Sequence, residues 1–159
     1  MSRITQFAFA NTSDGTAVLT KKNLGLLSNY ALSQDSANMA VLNNKTAPID
    51  AQELISYRTI DIKDVKSGLN IQHPAPVKAG IQYSVQVEDT LRTTDTTDTS
   101  FQVDEPIVVN ISVRHNKSGN ITGTHVASAF LRAVSALMKE DGTFRFDDLM
   151  RSAERPVIE

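Results

Sequence analysis

The histidines and aspartates are the residues of this 159-residue chain best suited to acid–base catalysis or metal binding. The three histidines, His73, His115 and His125, lie far apart in the sequence, and none has a second ligand at a spacing typical of a metal site. The sequence contains no phosphate loop, no Gly-x-Ser-x-Gly motif and no dinucleotide fingerprint. Because cysteine is absent, disulfides and thiolate ligands are excluded. We therefore expect neither an enzyme nor a metal or cofactor site.

The aspartates occur mainly where turn formation explains their presence without catalysis. Asp14, Asp95, Asp98 and Asp141 lie in predicted turns, where a short carboxylate accepts hydrogen bonds from the following backbone. No pair of carboxylates is placed by its sequence spacing to act as general acid and base. The chemistry of the protein is therefore expected to be binding rather than catalysis.

Composition limits the partners of the chain. It has 16 basic and 18 acidic residues, so its formal charge of −2 lacks the basic excess common in dedicated nucleic-acid binders. No segment reaches the length of about 18 apolar residues that a membrane helix needs. The N-terminal segment has too short an apolar run for a signal peptide. We expect a soluble, cytosolic protein with neither a membrane contact nor a small-molecule substrate.

Alternating apolar and polar residues predict strands over much of the chain. A hairpin is predicted over residues 3–22 around Asp14-Gly15, and further strands over 53–65, 80–89 and the segment ending at His115. Pro106 predicts a bend or bulge in that last strand. Residues 23–50 have no clear period, except that 39–44 resemble a short strand. Strands joined by short turns predict an antiparallel meander.

After the strands the apolar period changes to that of a helix. Residues 124–142 predict a helix that Thr122 or Thr124 caps and that Gly142 ends at its C′ position. A shorter helix is predicted over residues 145–154. The fold class is therefore α+β, with one domain over residues 1–159 made of the N-terminal hairpin (3–22), a sheet (53–115) and two helices (122–155).

The first predicted helix is more apolar than a helix that covers only its own sheet. Its polar residues form one narrow stripe, at His125, Ser128, Arg132, Ser135 and Lys139. Either the second helix or a partner chain must cover the remaining surface. Because the second helix is short, we favour a partner and predict a homodimer. The predicted interface residues are Val126, Phe130, Leu131, Val134, Leu137 and Met138.

The predicted sheet has a polar face whose role alternation alone does not decide. If Ile60 and Ile62 belong to the core, Asp61 and nine candidate binding residues share that face: Tyr57, Thr59, Lys63, Gln82, Ser84, Gln86, Asn110, Ser112 and Arg114. One interpretation is simple solvation, since antiparallel sheets often have one wet face. The other is an RNA platform, in which amides, hydroxyls and cations meet phosphates and bases and Tyr57 stacks.

The order of these segments resembles that of coat proteins of single-stranded RNA bacteriophages of the levivirus type. RITQFAFANTSDGTAVLTKKN is similar to the N-terminal hairpin of that family, ELISYRTIDIKDVKSG and AGIQYSVQVEDTLR to its central strands, and DEPIVVNISVRH to its last long strand. HVASAFLRAVSALMKEDGTFRFDDLMRSA is similar to its closing pair of helices. The resemblance covers most of the chain and rests on order and spacing, since no single motif is a strict signature.

The resemblance implies a structural protein of the virion, assembled in the cytoplasm of a bacterial host. Two subunits would join their sheets edge to edge, their helices would cross onto the partner, and dimers would build an icosahedral shell around single-stranded genomic RNA. The nine polar-face residues would contact that RNA, and a specific RNA hairpin as well if the protein also represses translation. A flexible loop would lie around symmetry axes: Thr93, Thr94, Asp95, Thr96, Thr97, Asp98 and Thr99. The alternative is a non-viral β-rich module that binds a protein or another ligand.

Overall fold

The computed structural model describes residues 24–67 and 78–152. These residues belong to two compact units, of which one spans Lys22–Lys117 and the other contains the chain from Ser118 onward. The predicted N-terminal hairpin, His73 and the last residues of the second predicted helix lie outside the described part. The organisation as one domain over residues 1–159 stays a prediction.

The first unit is a five-stranded antiparallel meander. After a short helical turn, α1 (Leu26–Asn29), its strands follow in chain order and lie side by side in that same order. The strands are β1 (Tyr30–Ser36), β2 (Met39–Asn44), β3 (Leu54–Ile62), β4 (Gly80–Thr94) and β5 (Gln102–Asn116). The predicted antiparallel α+β architecture is confirmed, but the sheet begins at Tyr30 rather than near residue 53.

Strand β1 lies in the segment to which the sequence pattern assigned no structure. Its register against β2 shifts between Leu32 and Gln34, so Ser33 interrupts the two-residue period on which strand prediction relies. Only Tyr30 of its seven residues is buried. The predicted short strand at 39–44 is confirmed as β2.

Strand β1 is fastened at its start by a polar cluster. The Tyr30 hydroxyl donates to Glu53 Oε1 over 2.5 Å, and the Asn44 side-chain amide donates to Glu53 Oε2 over 2.8 Å. Burial, together with the hydrogen bond to Glu53, raises the pKa of Tyr30 to about 12. The cluster ties the first strand to the end of β2 and to the residue before β3.

The buried part of the sheet is small. In the described ranges the buried apolar residues are Tyr30, Ile55 and Val65. Beside Val65, Gly80 begins β4, where a Cβ atom would collide with the Val65 side chain and the His115 carbonyl group. This close approach of two strands and a turn requires glycine.

Strand β5 contains no bulge, so the irregularity predicted from Pro106 is wrong. The register runs without a shift from Gly80↔Asn116 to Thr94↔Gln102 and includes Thr90↔Pro106. A proline is compatible with this regularity because β5 is an edge strand among the described residues, so alternate N–H groups face away from β4 and take no part in the pairing with it.

The second unit contains α2 (Gly123–Ala136) and α3 (Phe146–Ser152). Thr122 is the N-cap of α2: its hydroxyl accepts the His125 N–H, and the His125 Nδ1 atom accepts the Thr122 N–H. Neither α1 nor these two helices is long and apolar enough to span a membrane, and this covers every helix in the described ranges.

The predicted end of α2 at Gly142 is wrong by almost two turns. The helix ends at Ala136, and Met138 then pairs with Phe144 across a tight turn. Gly142 has a φ of 83° in that turn, and its N–H donates to the Lys139 carbonyl oxygen over 3.0 Å. The glycine therefore forms a turn between the helices instead of ending the first one.

Candidate assembly and nucleic-acid surfaces

The register assigns the side chains of β3, β4 and β5 to two faces. Directly opposed residues of antiparallel strands lie on the same side, and successive residues alternate. Ser84 lies between Arg58 and Ser112, and Gln86 lies between Ser56 and Asn110. We call this side the polar face, and we call the opposite side, which carries Val85 and Val87, the apolar face. In these three strands the central residues of the polar face are Ser56, Arg58, Ile60, Gln82, Ser84, Gln86, Asn110, Ser112 and Arg114, of which Ile60 is the one apolar side chain.

The polar face brings together six of the nine residues predicted to contact RNA, namely Gln82, Ser84, Gln86, Asn110, Ser112 and Arg114. It does not include Tyr57 or Thr59, which pair with Val85 and Tyr83 on the apolar face, and Lys63 lies one residue beyond the end of β3. The sequence interpretation took Ile60 and Ile62 as the core residues of β3, but the buried residue of this strand is Ile55, at 2% exposure. Ile55 lies on the opposite face from Ile60 and Ile62, so the two faces of β3 were interchanged. Contact with RNA stays a prediction for all nine.

Ser56 and Arg58 are the hydrophilic polar-face residues of β3 that the sequence interpretation missed, and Arg58 is the charged one. Arg58 lies in the middle of β3 and is exposed. Its side chain is on the polar face, where Tyr57 and Thr59 were predicted to be. Arg58 could have been predicted if Ile55 had been taken as the core residue of β3. The two are three residues apart, so their side chains point to opposite faces of the strand. With Arg114, Arg58 gives the polar face two guanidinium groups, the side chain best suited to phosphate.

The ends of the sheet differ in charge. Strands β4 and β5 continue for six residue pairs beyond the last pair with β3, from Asp89↔Ile107 to Thr94↔Gln102. We call residues 89–107 the arm; its acidic residues are Asp89, Asp95, Asp98, Asp104 and Glu105, against a single Arg92. At the opposite end, which we call the basal end, the charged residues are Asp61, Lys63, Asp64, Lys66, Lys78, Arg114 and Lys117. Five of these seven are basic, so positive charge lies at the end away from the arm.

The tip of the arm forms two consecutive turns. Asp95 Oδ1 accepts the Thr97 N–H over 2.7 Å and its hydroxyl over 2.6 Å, while Asp98 Oδ1 accepts the Ser100 N–H over 3.0 Å and its hydroxyl over 2.5 Å. These hydrogen bonds to Thr97 and Ser100 lower the pKa values of the two carboxyls. The loop is therefore shaped by its own side chains.

The predicted loop at 93–99 begins two residues too early. Thr93 and Thr94 belong to β4, where they pair with Val103 and Gln102. The connection between the strands covers residues 95–101 and includes Phe101, which is 47% exposed. Threonine favours the extended backbone, so the strand continues until the first aspartate turn.

Among the described strands β5 is an edge strand, and its outer side presents a regular row of backbone groups. Lys117 donates its N–H to the Ala79 carbonyl oxygen over 3.2 Å, which shows that odd-numbered residues here face β4. The even-numbered residues, Val108 and Asn110 among them, consequently direct their N–H and C=O groups outward. Pro106, which has no N–H group, is also at an outward position. Every residue from Gln102 to Ser112 is exposed, so a second strand could pair along this edge.

The apolar face of β5 is exposed as well. Ile107 and Val109 are each 51% exposed and Ile111 is 40% exposed, next to the paired Val87 and Val85 of β4. Val108, on the polar face, is 58% exposed. A contiguous exposed run of β-branched residues is typical of an interaction surface.

Helix α2 has no buried residue, although it is mostly apolar. Of the six predicted interface residues, Leu131 and Leu137 are 38% and 40% exposed, and Val126, Phe130, Val134 and Met138 are half-buried. In the following segment the exposed rings of Phe144 and Phe146 stack with their centroids 5.3 Å apart. The second unit therefore retains apolar surface for a further contact.

The histidines that the structure describes both have structural roles. His115 lies 5.7 Å from Tyr83 between ring centroids in an edge-on contact, and its Nδ1 atom lies 2.8 Å from the Asn116 carbonyl oxygen. His125 completes the cap of α2. Within residues 24–67 and 78–152, no group of three histidine, aspartate or glutamate side chains could hold a metal ion.

Comparison with known proteins gives matches in structure only. No protein-family model and no curated protein sequence matches the chain. Among solved structures, the virus-like particle of bacteriophage AVE015 is 23% identical, with a TM-score of 0.76 over 95% of this chain and 98% of that one. The particle of bacteriophage GQ-112 is 10% identical, with a TM-score of 0.66 over 86% of each chain. That of Beihai levi-like virus 32 is 13% identical, with a TM-score of 0.50 over 83% of this chain and 95% of that one.

These similarities cover 83–95% of this chain and 86–98% of the matched chains, so they extend well beyond a single hairpin. They include the order of a five-stranded antiparallel sheet followed by two helices. The fold predicted from the order of the sequence segments is thereby confirmed. The chain has the fold of levivirus-type bacteriophage coat proteins.

Proposed function

We propose that this chain is a coat protein, whose copies pair and then assemble into a closed shell around single-stranded RNA. The observation that carries the proposal is β5, a regular 15-residue edge strand that is exposed on both faces. The fold shared with proteins solved as virus-like particles supports the same function. In this role the protein is a virion component made in the cytoplasm of a bacterial host.

Pairing takes place along the free edge of β5. Proteins that stay monomeric protect long edge strands with bulges, charges or a covering segment. Between Ile107 and Ile111 the edge is unbulged and carries no charged side chain. Two copies related by a twofold axis would align their β5 strands antiparallel and form one ten-stranded sheet. The outward N–H and C=O groups of even-numbered residues would then be paired.

The apolar surfaces of the two units are buried in the same association. Ile107, Val109 and Ile111 on the sheet, Leu131 on α2 and Leu137 directly after it stay 38–51% exposed in the single chain. Burial of such side chains contributes about 25 cal/mol for each Å² of apolar surface removed from water. We assign this surface to contacts with the partner copy, for which the resemblance predicts crossed helices.

RNA lies against the polar face, on the side of the basal end. Arg58 and Arg114 supply charge, and Ser84, Ser112 and Asn110 supply neutral donors and acceptors for phosphate and sugar. The acidic arm repels the nucleic acid from the other end of the sheet. A single copy binds weakly because its charge is nearly balanced, but many copies in a shell act together.

The test is to express the chain alone in bacteria, purify the product under mild salt and examine it by electron microscopy and ultraviolet absorbance. We expect closed shells whose absorbance shows nucleic acid that nuclease does not remove. A stable monomer without nucleic acid would refute the coat function and would favour a β-rich binding module instead. Empty shells would retain the assembly role and refute RNA packaging.

A further inference from the structure

The arm contains an ion-pair cluster that the proposed function does not use. Arg92 of β4 donates from Nε to Asp104 Oδ1 over 2.8 Å and from Nη2 to Asp104 Oδ2 over 2.9 Å, a two-bond pair across the hairpin. The same Nη2 atom lies 2.9 Å from Asp50 Oδ2. Asp50 belongs to the loop between β2 and β3, so one guanidinium group joins the arm to a different part of the sheet.

The arm needs such a connection to keep one orientation. Beyond Glu88 it is a ribbon of two strands, and isolated two-stranded ribbons twist and bend more easily than wider sheets. In the described residues, the pair between Arg92 and Asp50 is the ion pair that reaches from the arm to the rest of the sheet. Without it, no ion pair of the described residues would join the arm to the rest of the sheet.

The loop that carries Asp50 is held by its own hydrogen bonds. Asn44 Oδ1 accepts the Thr46 N–H over 2.9 Å, and the Asn43 side-chain amide donates to Gln52 Oε1 over 3.1 Å. The Ala51 N–H donates to the Pro48 carbonyl oxygen over 3.1 Å. Bonds at both ends and in the middle of the loop hold the backbone around Asp50 in place, so the loop offers Arg92 a partner at a defined position.

We infer that Arg92 acts as a clasp: its pair with Asp104 is part of the hairpin, and its contact with Asp50 sets the angle of the arm. The two contacts differ in exposure, because the side chain of Asp104 is 31% exposed and that of Asp50 is 65% exposed. Salt screens exposed pairs more strongly. The contact with Asp50 therefore opens first, which releases the arm as a folded unit.

In a shell the clasp would make the arms of all copies point alike, and this consequence rests on the proposed function. Arms with one fixed angle favour one curvature between neighbouring copies, whereas released arms permit several. Substitution of Asp50 should therefore widen the range of particle diameters without preventing assembly.

The direct test uses the full chain, which has no cysteine of its own. Spin labels on Thr96→Cys at the arm tip and Ala37→Cys in the turn between β1 and β2 report the arm angle as a distance distribution. Labelled chain is diluted with unlabelled chain so that distances within one copy dominate. We expect a narrow distribution that becomes about twofold wider in Asp50→Asn, because a two-stranded ribbon then bends freely.

The matched control is Asp35→Asn, which removes the same charge from an exposed position on β1. It should leave the distribution narrow, and about 1 M salt should widen the wild-type distribution toward that of Asp50→Asn. Equal widths for Asp50→Asn and Asp35→Asn would overturn the clasp. If the wild-type chain forms no shells, the proposed coat function is refuted. The distance measurement then still tests whether the contact between Arg92 and Asp50 sets the angle of the arm. If shells form, those of Asp50→Asn should vary in diameter and those of Asp35→Asn should be uniform.

Discussion

The two edge strands of the sheet, as the described residues form it, differ in length and regularity. Strand β1 is seven residues long, is interrupted at Ser33 and is fastened by the buried hydroxyl of Tyr30. Strand β5 is fifteen residues long, has no register shift and exposes Val108 and Val109 on opposite faces. An edge that is short and bulged resists pairing with another chain, and one that is long and regular invites it.

If copies pair as proposed, this difference predicts that the sheet extends on the β5 side only. If both edges were regular, copies would add at both sides and form an open fibre instead of a closed pair. The bulge beside Leu32 therefore matters to the proposed shell as much as the regularity of β5 does. The asymmetry can be tested by changing each edge in the same way.

The largest expected effect follows from a proline on the outward side of β5. Val108→Pro removes an outward N–H group and preserves the bonds to β4, as Pro106 already does two residues away. A symmetric pair loses one bond in each copy, about 2–3 kcal/mol in total, so we expect dimers roughly 30- to 150-fold weaker. Sedimentation at decreasing concentration measures this.

Leu32→Pro is the control on the other edge. Leu32 is 54% exposed, similar to Val108 at 58%, and it also faces outward, because the Asn29 carbonyl oxygen accepts the Lys45 N–H on the β2 side. The Leu32→Pro variant should form dimers with the same affinity as the wild type. Equal weakening by both prolines would show that the edges do not differ in function.

The next largest effect concerns the anchor of β1. Tyr30→Phe leaves the part-buried Glu53 with the Asn44 amide but without the phenol donor, and should lower the free energy of unfolding by about 1–2 kcal/mol. Urea unfolding measures the loss. Tyr57→Phe, at a 38% exposed position, should change it by less than about 0.5 kcal/mol. A loss no greater than that of Tyr57→Phe would contradict the anchoring role.

The same tyrosine predicts a loss of stability at alkaline pH. Its pKa is raised in the folded state from 10.0 to about 12, so the contribution is complete below pH 10 and is lost as the pH rises toward 12. Tyrosinate absorbance of the wild type should include an ionisation step near pH 12, and this step should be lost in Tyr30→Phe. Persistence of this late step in Tyr30→Phe would assign it to another residue.

A smaller effect is expected from Arg58 on the polar face. For dissociated dimers that bind a short single-stranded RNA, Arg58→Ala should lower the slope of log affinity against log salt by about 0.7, the value for one phosphate contact. Lys45→Ala removes the same charge from the loop after β2 and should leave the slope unchanged. If Tyr57→Ala weakened binding and Arg58→Ala did not, RNA would lie on the apolar face.

The smallest effect is local to the arm tip. The pKa values of Asp95 and Asp98 lie below the usual 3.8, so their turns are stabilised above that pH and lose this contribution as the pH falls through the lowered values. The amide signals of Thr97 and Ser100 in nuclear magnetic resonance should move together below about pH 4. Midpoints above 3.8 would contradict the hydrogen bonds described here.

Much of the sheet could be predicted because apolar and polar residues alternate clearly in β4, inside the sheet, and in β5, a regular edge strand. Ile81, Tyr83, Val85 and Val87 fixed the faces of β4, and Ile107 to Val113 fixed those of β5. Strand β1 was missed because its period breaks at Ser33 and a single buried residue gives no pattern. Edge strands with bulges lack the periodic signal that prediction requires.

The candidate RNA surface was predicted only in part because β3 carries isoleucines on both faces. Ile60 and Ile62 outnumbered Ile55, yet Ile55 is the residue that is buried against the neighbouring strands. Parity in one strand is ambiguous until its register with a neighbour is known. The same ambiguity concealed Arg58. The contact of Arg92 with Asp50 joins residues 42 positions apart, and no periodicity in the sequence reveals such a contact.

The central claim, that two copies pair through β5, is tested most directly by a cysteine scan of this cysteine-free chain. In an antiparallel twofold pair, outward residues face outward ones, so one residue of β5 lies opposite its own copy, close enough to form a disulfide. We predict that single cysteines placed one at a time over residues 103–113 give a sharp maximum of oxidised dimer at one position. The corresponding scan of β1 should give none. A β5 scan with no position above the β1 background would contradict the account.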